Sequence, residues 1–402
     1  MKPLIGPDDT WTLWAVIIGG TGGAIWLEQT YRWAAKVSAP LLALGMAMAL
    51  SNAGVMPMDS PAYRFVGDYL VPIALSLLLF RASLLHIVRT TGWMFLAFHI
   101  SSLGTVLGAI VATLALRGQI AEIEHAAGMM TGSYIGGGIN FFAIRESYHV
   151  SEAVANPLLV ADNFVMAAIF VALLAIASSR FFLRHYPHPH SQETDSDSAR
   201  NLAAEHWCRK GIGLLDIAKG LAFALVAVAA AERLGGVLGA AFGDTSRSSL
   251  IVQIVQTLLT NHFVLITAVS LAMATLFHRQ LQSVNGPEEF GGYMLYLFLF
   301  TIGLPADLAA VLWNVPLLFV FCAIIAVINV VVTLVLGKVL GFGLEELLLC
   351  INATLGGPST SAAMAISRGW SALVLPAILV GIWGYAIGAF VGILVAETLM
   401  RM

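Results

Sequence analysis

The sequence predicts an all-α polytopic membrane protein with two transmembrane repeats, and three observations support this prediction. Hydrophobic residues make up 59% of the 402 residues, whereas only 11% are charged. A soluble domain carries roughly 25% charged residues. Apolar segments of about 20 residues, the length of a helix that crosses a bilayer, recur along the chain. Two glycine-rich interruptions occupy matching positions in the two halves.

Composition excludes several other classes of protein. The formal net charge of −3 does not indicate a nucleic-acid-binding protein. Three cysteines do not make a disulfide framework. Cys322 and Cys350 lie in apolar segments and are expected to be buried thiols. The first ten residues contain no cleavage-type signal, so the first span is expected to remain as an anchor. The predicted location is the bacterial inner membrane.

The first repeat is predicted to span residues 1–179 and to contain six apolar segments. They are Trp11–Leu27, Ala39–Met56, Phe65–Leu84, Gly92–Leu116, His125–Ile144 and Ala153–Ser178. The fifth segment, 125–144, includes three consecutive glycines, Gly136–Gly138. Because glycine in a helix costs backbone entropy, we expect this helix to be broken and non-helical over residues 134–140.

A polar connector, residues 180–211, separates the two halves. It contains an excess of Lys and Arg, which is typical of a cytoplasmic loop. Its basic side chains include Arg180, Arg184, Arg200, Arg209 and Lys210. The spacing of His188 and His190 around a proline is compatible with metal binding. A solvated linker is the simpler interpretation, since an apolar chain needs one between its halves.

The second repeat is predicted to span residues 212–402. Its segments are Ile212–Ala240, Leu250–Phe277, Gly291–Leu304, Val315–Leu340, Leu344–Ile366 and Ala372–Leu399. The segment that begins at Leu250 is long enough for an amphipathic approach helix followed by a span. Within 344–366, Gly356, Gly357 and Pro358 cannot continue an ordinary helix. We therefore expect residues 354–361 to be non-helical, with polar groups satisfying the freed backbone.

The two halves align as an internal repeat. Gly136–Gly137 align with Gly356–Gly357 at an offset of 220 residues, and Ala47–Ala49 align with Ala272–Ala274 at an offset of 225. Small insertions explain the small difference between these two offsets. We therefore predict two structural repeats of five to six transmembrane helices, each with one broken helix.

Loop charge favours inverted repeats. In the first half, the loop after the third span contains Arg81, His86 and Arg89. In the second half, the loop after the third span contains Asp307 and no basic residue. Opposite charge bias favours opposite orientation. Equivalent spans that are six crossings apart would be parallel, however, so inversion requires one of the twelve segments to be miscounted.

Residues around the two breaks form the predicted solute-binding site. The N-termini of half-helices carry positive dipole ends that suit an anionic group. Neighbouring hydroxyls add donors, although helix capping is an equally good interpretation for any one of them. The predicted solute-binding residues are Ser133, Tyr134, Gly136, Gly137, Gly138, Asn140, Asn352, Thr354, Gly356, Gly357, Pro358, Ser359, Thr360 and Ser361.

Asp162 is the candidate ion-binding carboxylate. It follows the first break inside an apolar span, where an ionisable residue is a functional hypothesis. Oxygen ligands from Asp162, Asn163, Asn140 and Thr360 suit Na⁺, whereas a protonatable Asp suits H⁺. A helix cap in an aqueous vestibule is the structural alternative. The equivalent residue in the second repeat is Gly381. No cofactor and no other metal are predicted.

The motifs at Met130–Asn140, Ala161–Asn163 and Gly356–Ser361 resemble the DUF819 family of predicted membrane proteins over nearly the whole chain. The resemblance implies a relationship to the cation:proton antiporter and anion transporter superfamily, which includes bile-acid-type sodium symporters and sodium–proton antiporters. It further implies inverted repeats, broken helices crossing near the midplane, and an elevator-like core beside an often dimeric scaffold. In the antiporters a span with paired acidic or Asn-Asp residues follows a broken helix; here the order is Asp162-Asn163.

These inferences predict an ion-coupled (Na⁺ or H⁺) secondary transporter of a small organic anion that works by elevator-type alternating access. A Na⁺/H⁺ antiporter is the alternative, and a non-transporting membrane sensor or assembly partner is an alternative of another class. An enzyme is not predicted, because no nucleophile–base pair is recognisable. The expected partners are the lipid bilayer, the solute and a second copy of the chain, with Gly19–Gly23 as a candidate packing surface. Arg145, Glu146 and Glu152 are expected to be solvated loop charges.

Overall fold

Helices make up the regular secondary structure of the protein in the computed structural model, which describes residues 3–31, 34, 39–192, 211–242, 250–305 and 308–402. Most of the predicted linker, residues 193–210, lies outside the described residues, and so does Asp307. The charge comparison between the two loops therefore stays a prediction.

The helices of the first half follow the predicted segments closely. They are α1 (Thr10–Thr30), α2 (Ala39–Asn52), α3 (Pro61–Phe65, a π-helical turn at Val66–Leu70, and Val71–Leu78), α4 (Leu84–Thr91), α5 (Trp93–Leu116), α6 (Ile123–Tyr148), α7 (Glu152–Ser178) and α8 (Arg180–His185). A single 3₁₀ turn, Pro189–Gln192, follows α8.

The second half of the described chain contains eight further helices. Its helices are α9 (Leu214–Phe242), α10 (Leu250–Thr260), α11 (His262–Leu276), α12 (His278–Leu281), α13 (Pro287–Gly303), α14 (Leu308–Val339), α15 (Leu344–Ser367) and α16 (Val374–Leu399). The predicted approach helix is confirmed, since the chain bends by 64° between α10 and α11. Asn261 lies at the bend, and its side-chain oxygen accepts hydrogen bonds from the N–H groups of Phe263 and Val264.

Long apolar helices make this an integral membrane protein. Six helices of the described chain are long and apolar enough to span a bilayer, or seven if the bent pair α10–α11 counts as one span. This number is lower than twelve because several predicted segments form short or interrupted helices. For example, α2 has 14 residues and rises about 21 Å, less than the thickness of the hydrocarbon core.

The first interrupted helix, α6, turns back on itself. Its helical dihedral angles fail at Gly136 and Gly137. The His125 ring, near its start, lies 4.8 Å from the Tyr148 ring at its end. In a straight helix these residues would be about 34 Å apart. The predicted break is confirmed, but it is narrower than residues 134–140, and its two arms form an antiparallel helical hairpin.

The second interrupted helix, α15, folds in the same way. Its dihedral angles fail at Gly357. The Asn352 amide donates to Thr360 O at 2.9 Å, and Ser361 Oγ donates to Leu349 O at 2.9 Å. Residues twelve positions apart lie about 18 Å apart in a continuous helix. The prediction that the broken helices cross as through-going spans is therefore wrong, because both are hairpins.

The two hairpins approach each other from opposite ends of the bundle. At the N-terminal end of α5, the Trp93 ring lies 6.4 Å from Phe342, beside the base of α15. At its C-terminal end, Arg117 forms an ion pair of 3.5 Å with Glu124 at the base of α6. The two bases therefore flank opposite ends of one long apolar helix, and the tips point towards the middle.

The described part of the connector lies against the second hairpin. The N–H group of Leu344, the first residue of α15, donates to Pro187 O at 2.8 Å. The Tyr186 hydroxyl donates to Leu334 O at 3.1 Å, and this side chain is buried. Two hydrogen bonds therefore attach this part of the connector to the base of α15 and to α14, and the interpretation of the connector as a solvated linker stays a prediction.

Candidate functional site

The two hairpin tips meet at one aromatic side chain. A Cβ atom built on Gly137 would lie 3.1 Å from Tyr385 Cε1, and one built on Gly357 would lie 3.7 Å from Tyr385 Oη. Tyr385 belongs to the middle of α16. Two residues that are 220 positions apart in the chain are thus brought to the same Cε1 edge of a single ring.

Both tips depend on a glycine conformation that other residues rarely adopt. Gly137 has φ 69° and ψ 178°, and Gly357 has φ 83° and ψ −176°. This region of dihedral space is essentially restricted to glycine and costs other residues about 1–3 kcal/mol. The same turn therefore occurs at equivalent positions of both hairpins.

Glycines on α16 allow the hairpins to approach closely. A Cβ atom at Gly381 would lie 2.6 Å from Pro358 Cα, and one at Gly384 would overlap the carbonyl oxygen of Ile135. A Cβ atom at Gly388 would lie 2.6 Å from Nδ2 of Asn140. Small residues allow this close contact between helix backbones in a membrane protein. As a result, α16 contacts the backbones of both hairpins.

Helix α7, which the predicted repeat aligns with α16, carries larger side chains at the aligned positions. Asp162 lies where α16 has Gly381, and Val165 lies where it has Gly384. Met166, one turn after Asp162, faces the second hairpin, since its Cε lies 2.7 Å from a Cβ atom built on Gly356. As a result, α7 places a carboxylate beside the hairpin tips, whereas α16 makes close backbone contacts there.

Asp162 is a buried carboxylate with one oxygen unpaired. It is 7% exposed, and Ser133 Oγ donates to its Oδ2 at 3.0 Å. Within the described residues Oδ1 is buried without a hydrogen-bond partner. Two further groups interact electrostatically with the Asp162 carboxylate: the Tyr134 hydroxyl and the Cys322 thiol. The Tyr134 hydroxyl is itself buried without a well-formed hydrogen bond. Asp162 lies in the third turn of α7 and does not cap a helix.

A buried hydrogen-bond network joins the two hairpins to α5 and α14. The Asn329 amide donates to Ser101 O at 2.7 Å and to Thr105 Oγ1 at 2.8 Å. Thr105 Oγ1 donates to Tyr134 O on α6 at 3.0 Å. Ser101 Oγ and Thr354 Oγ1 on α15 are 2.9 Å apart. One network therefore holds both hairpins, at Tyr134 and Thr354, which the predicted repeat aligns with each other.

Asn140 and Thr360 satisfy the broken backbones. The Asn140 amide donates to Gly136 O at 2.8 Å, and its oxygen accepts from Ala389 N on α16 at 3.0 Å. Thr360 Oγ1 donates to Gly357 O at 3.1 Å. Each side chain thus replaces a helical hydrogen bond that the turn removes, which is a structural role at the predicted site.

The other predicted solute-binding residues differ in exposure. Gly138 and Ser359, one after each turn, are exposed. Asn352 is buried, and its Oδ1 has no hydrogen-bond partner in the described part of the chain. Ser361 is buried and bonded to its own hairpin. Asn163, a predicted ion ligand, is half-buried and donates to Leu159 O of its own helix at 2.8 Å.

The charged residues after the first break are not solvated. Arg145 contacts the carboxylates of both Glu146 and Glu152, and the Arg145 side chain is 12% exposed. Its guanidinium lies 5.6 Å from the centre of the Phe298 ring on α13. The prediction of solvated loop charges is wrong, because these side chains fold inwards against α13.

Sequence reasoning missed several residues that hold the site together. Tyr385, Ser101, Thr105 and Asn329 occur in apolar helices without a recognisable motif. Only the glycine spacing of α16, at 381, 384, 388 and 392, carries a signal, because repeated small residues on one helix indicate close helix packing.

Comparison with known proteins agrees with this architecture of apolar helices. Residues 15–402 match the family described as protein of unknown function, DUF819. The chain is also 40% identical over 395 residues to a protein of Bacillus subtilis (strain 168) named uncharacterized membrane protein YjcL. That match covers 98% of this chain and 97% of the Bacillus protein. The chain described here therefore belongs to the DUF819 family of membrane proteins.

Proposed function

We propose that this protein is an ion-coupled secondary transporter of a small organic, anionic solute. The observation that carries the proposal is the meeting of two glycine-turn hairpins at Tyr385, beside the buried carboxylate of Asp162. Interrupted helices that end inside a bundle present backbone groups at membrane depth, which is the usual way for secondary transporters to build a binding site. A purely structural bundle has no need for such turns, which leave backbone groups to be satisfied in lipid.

Inverted repeats are part of the proposal. If α6 and α15 enter the membrane and return, and if the short helix α2 crosses it together with its flanking residues, each half has five crossing units: α1, α2, α3, α5 and α7, then α9, α10–α11, α13, α14 and α16. Five crossings then separate equivalent helices, which makes them antiparallel. The contacts between α5 and α14 support this, because Gly104 lies against Asn329 whereas Gly108 lies against Ile325. Elements related by such symmetry often surround a transport site.

Asp162 is the proposed binding site for the coupling ion. Its Oδ1 is an acceptor without a partner, next to the Ser133 and Tyr134 hydroxyls on the first hairpin. A carboxylate in an apolar helix is costly unless it is paired, protonated or bound to a cation. Binding of Na⁺ or H⁺ neutralises Asp162. Ion binding is thereby coupled to the position of the first hairpin, which carries Ser133 and Tyr134.

The proposed solute site lies at the tips. After each glycine turn a new helical arm begins, so two helix N-termini face the same region. Their partial positive charges suit a carboxylate or a similar anionic group. Gly138 and Ser359 are the exposed residues there, and Tyr385 supplies an aromatic surface.

An elevator movement fits this arrangement. The hairpins, α7 and α16 form the proposed mobile core, and α1–α3 with α9–α13 form the scaffold. A homodimer through the scaffold remains part of the proposal. Gly20 packs on Phe300 within the chain, whereas Gly19 and Gly22 on α1 face outwards, as a small-residue contact with a second copy requires.

Uptake into proteoliposomes tests the proposed function. The purified protein is reconstituted, and uptake of radiolabelled mono- and dicarboxylates is measured with an inward Na⁺ gradient, an inward H⁺ gradient or neither. Accumulation that requires one of the gradients supports coupled transport. If no carboxylate enters but added Na⁺ drives H⁺ movement reported by a pH-sensitive dye, the protein is an antiporter. Absence of both fluxes favours a sensor or assembly partner.

A further inference from the structure

A second charged cluster lies at the junction between the proposed core and the scaffold. Arg145 and Glu146 end the first hairpin, and Glu152 begins α7. The Arg145 guanidinium contacts both carboxylates. Their side chains are only 16% and 25% exposed, respectively. Two carboxylates thus share one cation, and the fully ionised cluster carries an uncompensated negative charge.

Neighbouring elements close this cluster off from solvent. The Phe298 ring of α13 covers the guanidinium, and a Cβ atom built on Gly67 in the π-helical turn would lie 3.2 Å from Glu146 Oε2. Among the described residues, the charged groups that act on Glu152 are Arg145 and Glu146. The elements packed on the cluster contribute an aromatic ring and backbone, so within the described part of the chain no second cation is seen to balance the excess charge.

Asn156 provides an independent sign that the cluster lacks a donor. It is completely buried, and its amide group donates to Glu152 Oε2 at 3.3 Å and to Ile302 O on α13 at 2.9 Å. Its own Oδ1 is buried without a hydrogen-bond partner in the described residues. An unmade hydrogen bond at a buried polar atom costs about 1–3 kcal/mol. A proton on the neighbouring Glu152 would supply the missing donor after a rotation of the amide.

We infer that the cluster of Arg145, Glu146, Glu152 and Asn156 is a second proton-binding site, separate from Asp162, with Glu152 as the group that takes up the proton. The Glu152 carboxylate binds one proton and becomes a neutral carboxylic acid. The cluster then holds one positive and one negative charge. Because it joins α6 and α7 to α13, its protonation stabilises the contact between these elements.

The sign of the pH effect follows from this proton uptake. The folded protein binds the proton more tightly than the unfolded chain, in which Glu152 is solvated. Stability is therefore greatest under acidic conditions and decreases as the pH rises through the titration of the folded cluster. Uptake of one additional proton on folding changes the folding equilibrium by up to about tenfold per pH unit.

The test uses the full-length protein in lipid nanodiscs and does not require transport. Thermal unfolding is measured from acidic to alkaline pH in an Asp162→Asn background, which removes the carboxylate of the proposed ion site. The buried Glu345 and Glu397 remain in every variant, so their contribution is common to all profiles. We expect the pH dependence to become clearly weaker in Glu152→Gln. It should be retained in the control Glu124→Gln, because that carboxylate is paired with a cation of its own, Arg117. Parallel pH profiles for Glu152→Gln and its parent would overturn the inference.

Infrared spectroscopy provides a second readout that does not depend on unfolding. The difference between the spectra of the parent and Glu152→Gln should contain a carbonyl band of a protonated carboxylic acid that disappears with rising pH. If Glu152→Gln does not fold, the test is made on the parent and on Glu146→Gln, which should lose this band, because Arg145 then balances the single remaining carboxylate. Absence of the band from the folded parent, or stabilisation by Na⁺ in place of acid, would contradict a proton site.

Discussion

At the scale of single residues, two kinds of polar side chain near the tips can be distinguished: those that satisfy the broken backbone and those that keep an unpaired acceptor. Asn140 and Thr360 belong to the first kind, because each donates to the carbonyl of a tip glycine. Asp162 and Asn352 belong to the second, because each keeps one buried oxygen without a partner. Open acceptors in a dry environment are expensive, so they are the better candidates for binding a ligand.

The Asn329 network gives a prediction for stability. Asn329→Ala removes the donor to Ser101 and Thr105 and should lower the free energy of unfolding by about 1–3 kcal/mol, because buried partners lose their hydrogen bonds. Asn163→Ala is the matched control, because it removes only a half-buried hydrogen bond within α7. It should change the free energy of unfolding by less than about 1 kcal/mol. Thermal unfolding in detergent compares the two. Equal effects would show that the network does not hold the hairpins.

The glycine breaks could be predicted from the sequence, because they interrupt apolar segments locally. Asp162 is also visible as an interruption of an apolar segment, and its assignment as an ion ligand stays a prediction. Asn329, Ser101 and Tyr385 could not be predicted as site residues, because each acts through contacts with distant helices. Arg145 was misassigned for the same reason, since α13, which buries it, lies far away in the chain.

At the scale of elements, the hairpins explain why two apolar segments contain such poor helix formers. A turn with positive φ and extended ψ reverses each helix, and α16 offers glycines where the arms lie against it. The sequence indicated the break because glycine and proline act locally. It did not indicate the reversal, since a kinked span and a hairpin have the same local composition and differ only in long-range contacts.

Adjacent glycines allow a matched test of the first tip. Gly137 has positive φ, whereas Gly138 has a conformation that other residues adopt, with only Phe142 at 3.7 Å from a built Cβ atom. Gly137→Ala should destabilise the protein by about 1–3 kcal/mol, because alanine is strained there. Gly138→Ala should be nearly neutral for stability. Thermal unfolding of both variants measures the difference, and equal midpoints would contradict the assigned turn.

At the scale of the whole molecule, the hairpins offer a way to reconcile the charge bias of the loops with the span count. The expectation of six crossings per half counted each hairpin as a span. With five crossing units per half, the proposed repeats would be inverted, and the antiparallel contacts between α5 and α14 support that proposal. Hydropathy cannot make this distinction, because it measures the apolar length of a segment and not where its two ends lie.

Cysteine labelling tests the opposite entry of the hairpins. Ser151→Cys lies at the base of the first hairpin and Leu340→Cys next to the base of the second, and both positions are exposed. In a parent with Cys208→Ala, a membrane-impermeant maleimide should label the two variants from opposite sides of the membrane. Labelling of both from the same side would contradict inverted repeats. The parent itself is the control for the buried thiols of Cys322 and Cys350.

The most direct test of the account is gradient-driven uptake by Asp162→Asn in proteoliposomes, using a carboxylate that the wild type accumulates. The substitution keeps the size of the side chain and removes the charge that binds the coupling ion. We predict that it abolishes accumulation against a gradient, while equilibrium binding of the solute and the folded state are retained. Accumulation with wild-type coupling and wild-type ion dependence would contradict the assignment of Asp162 as the coupling site.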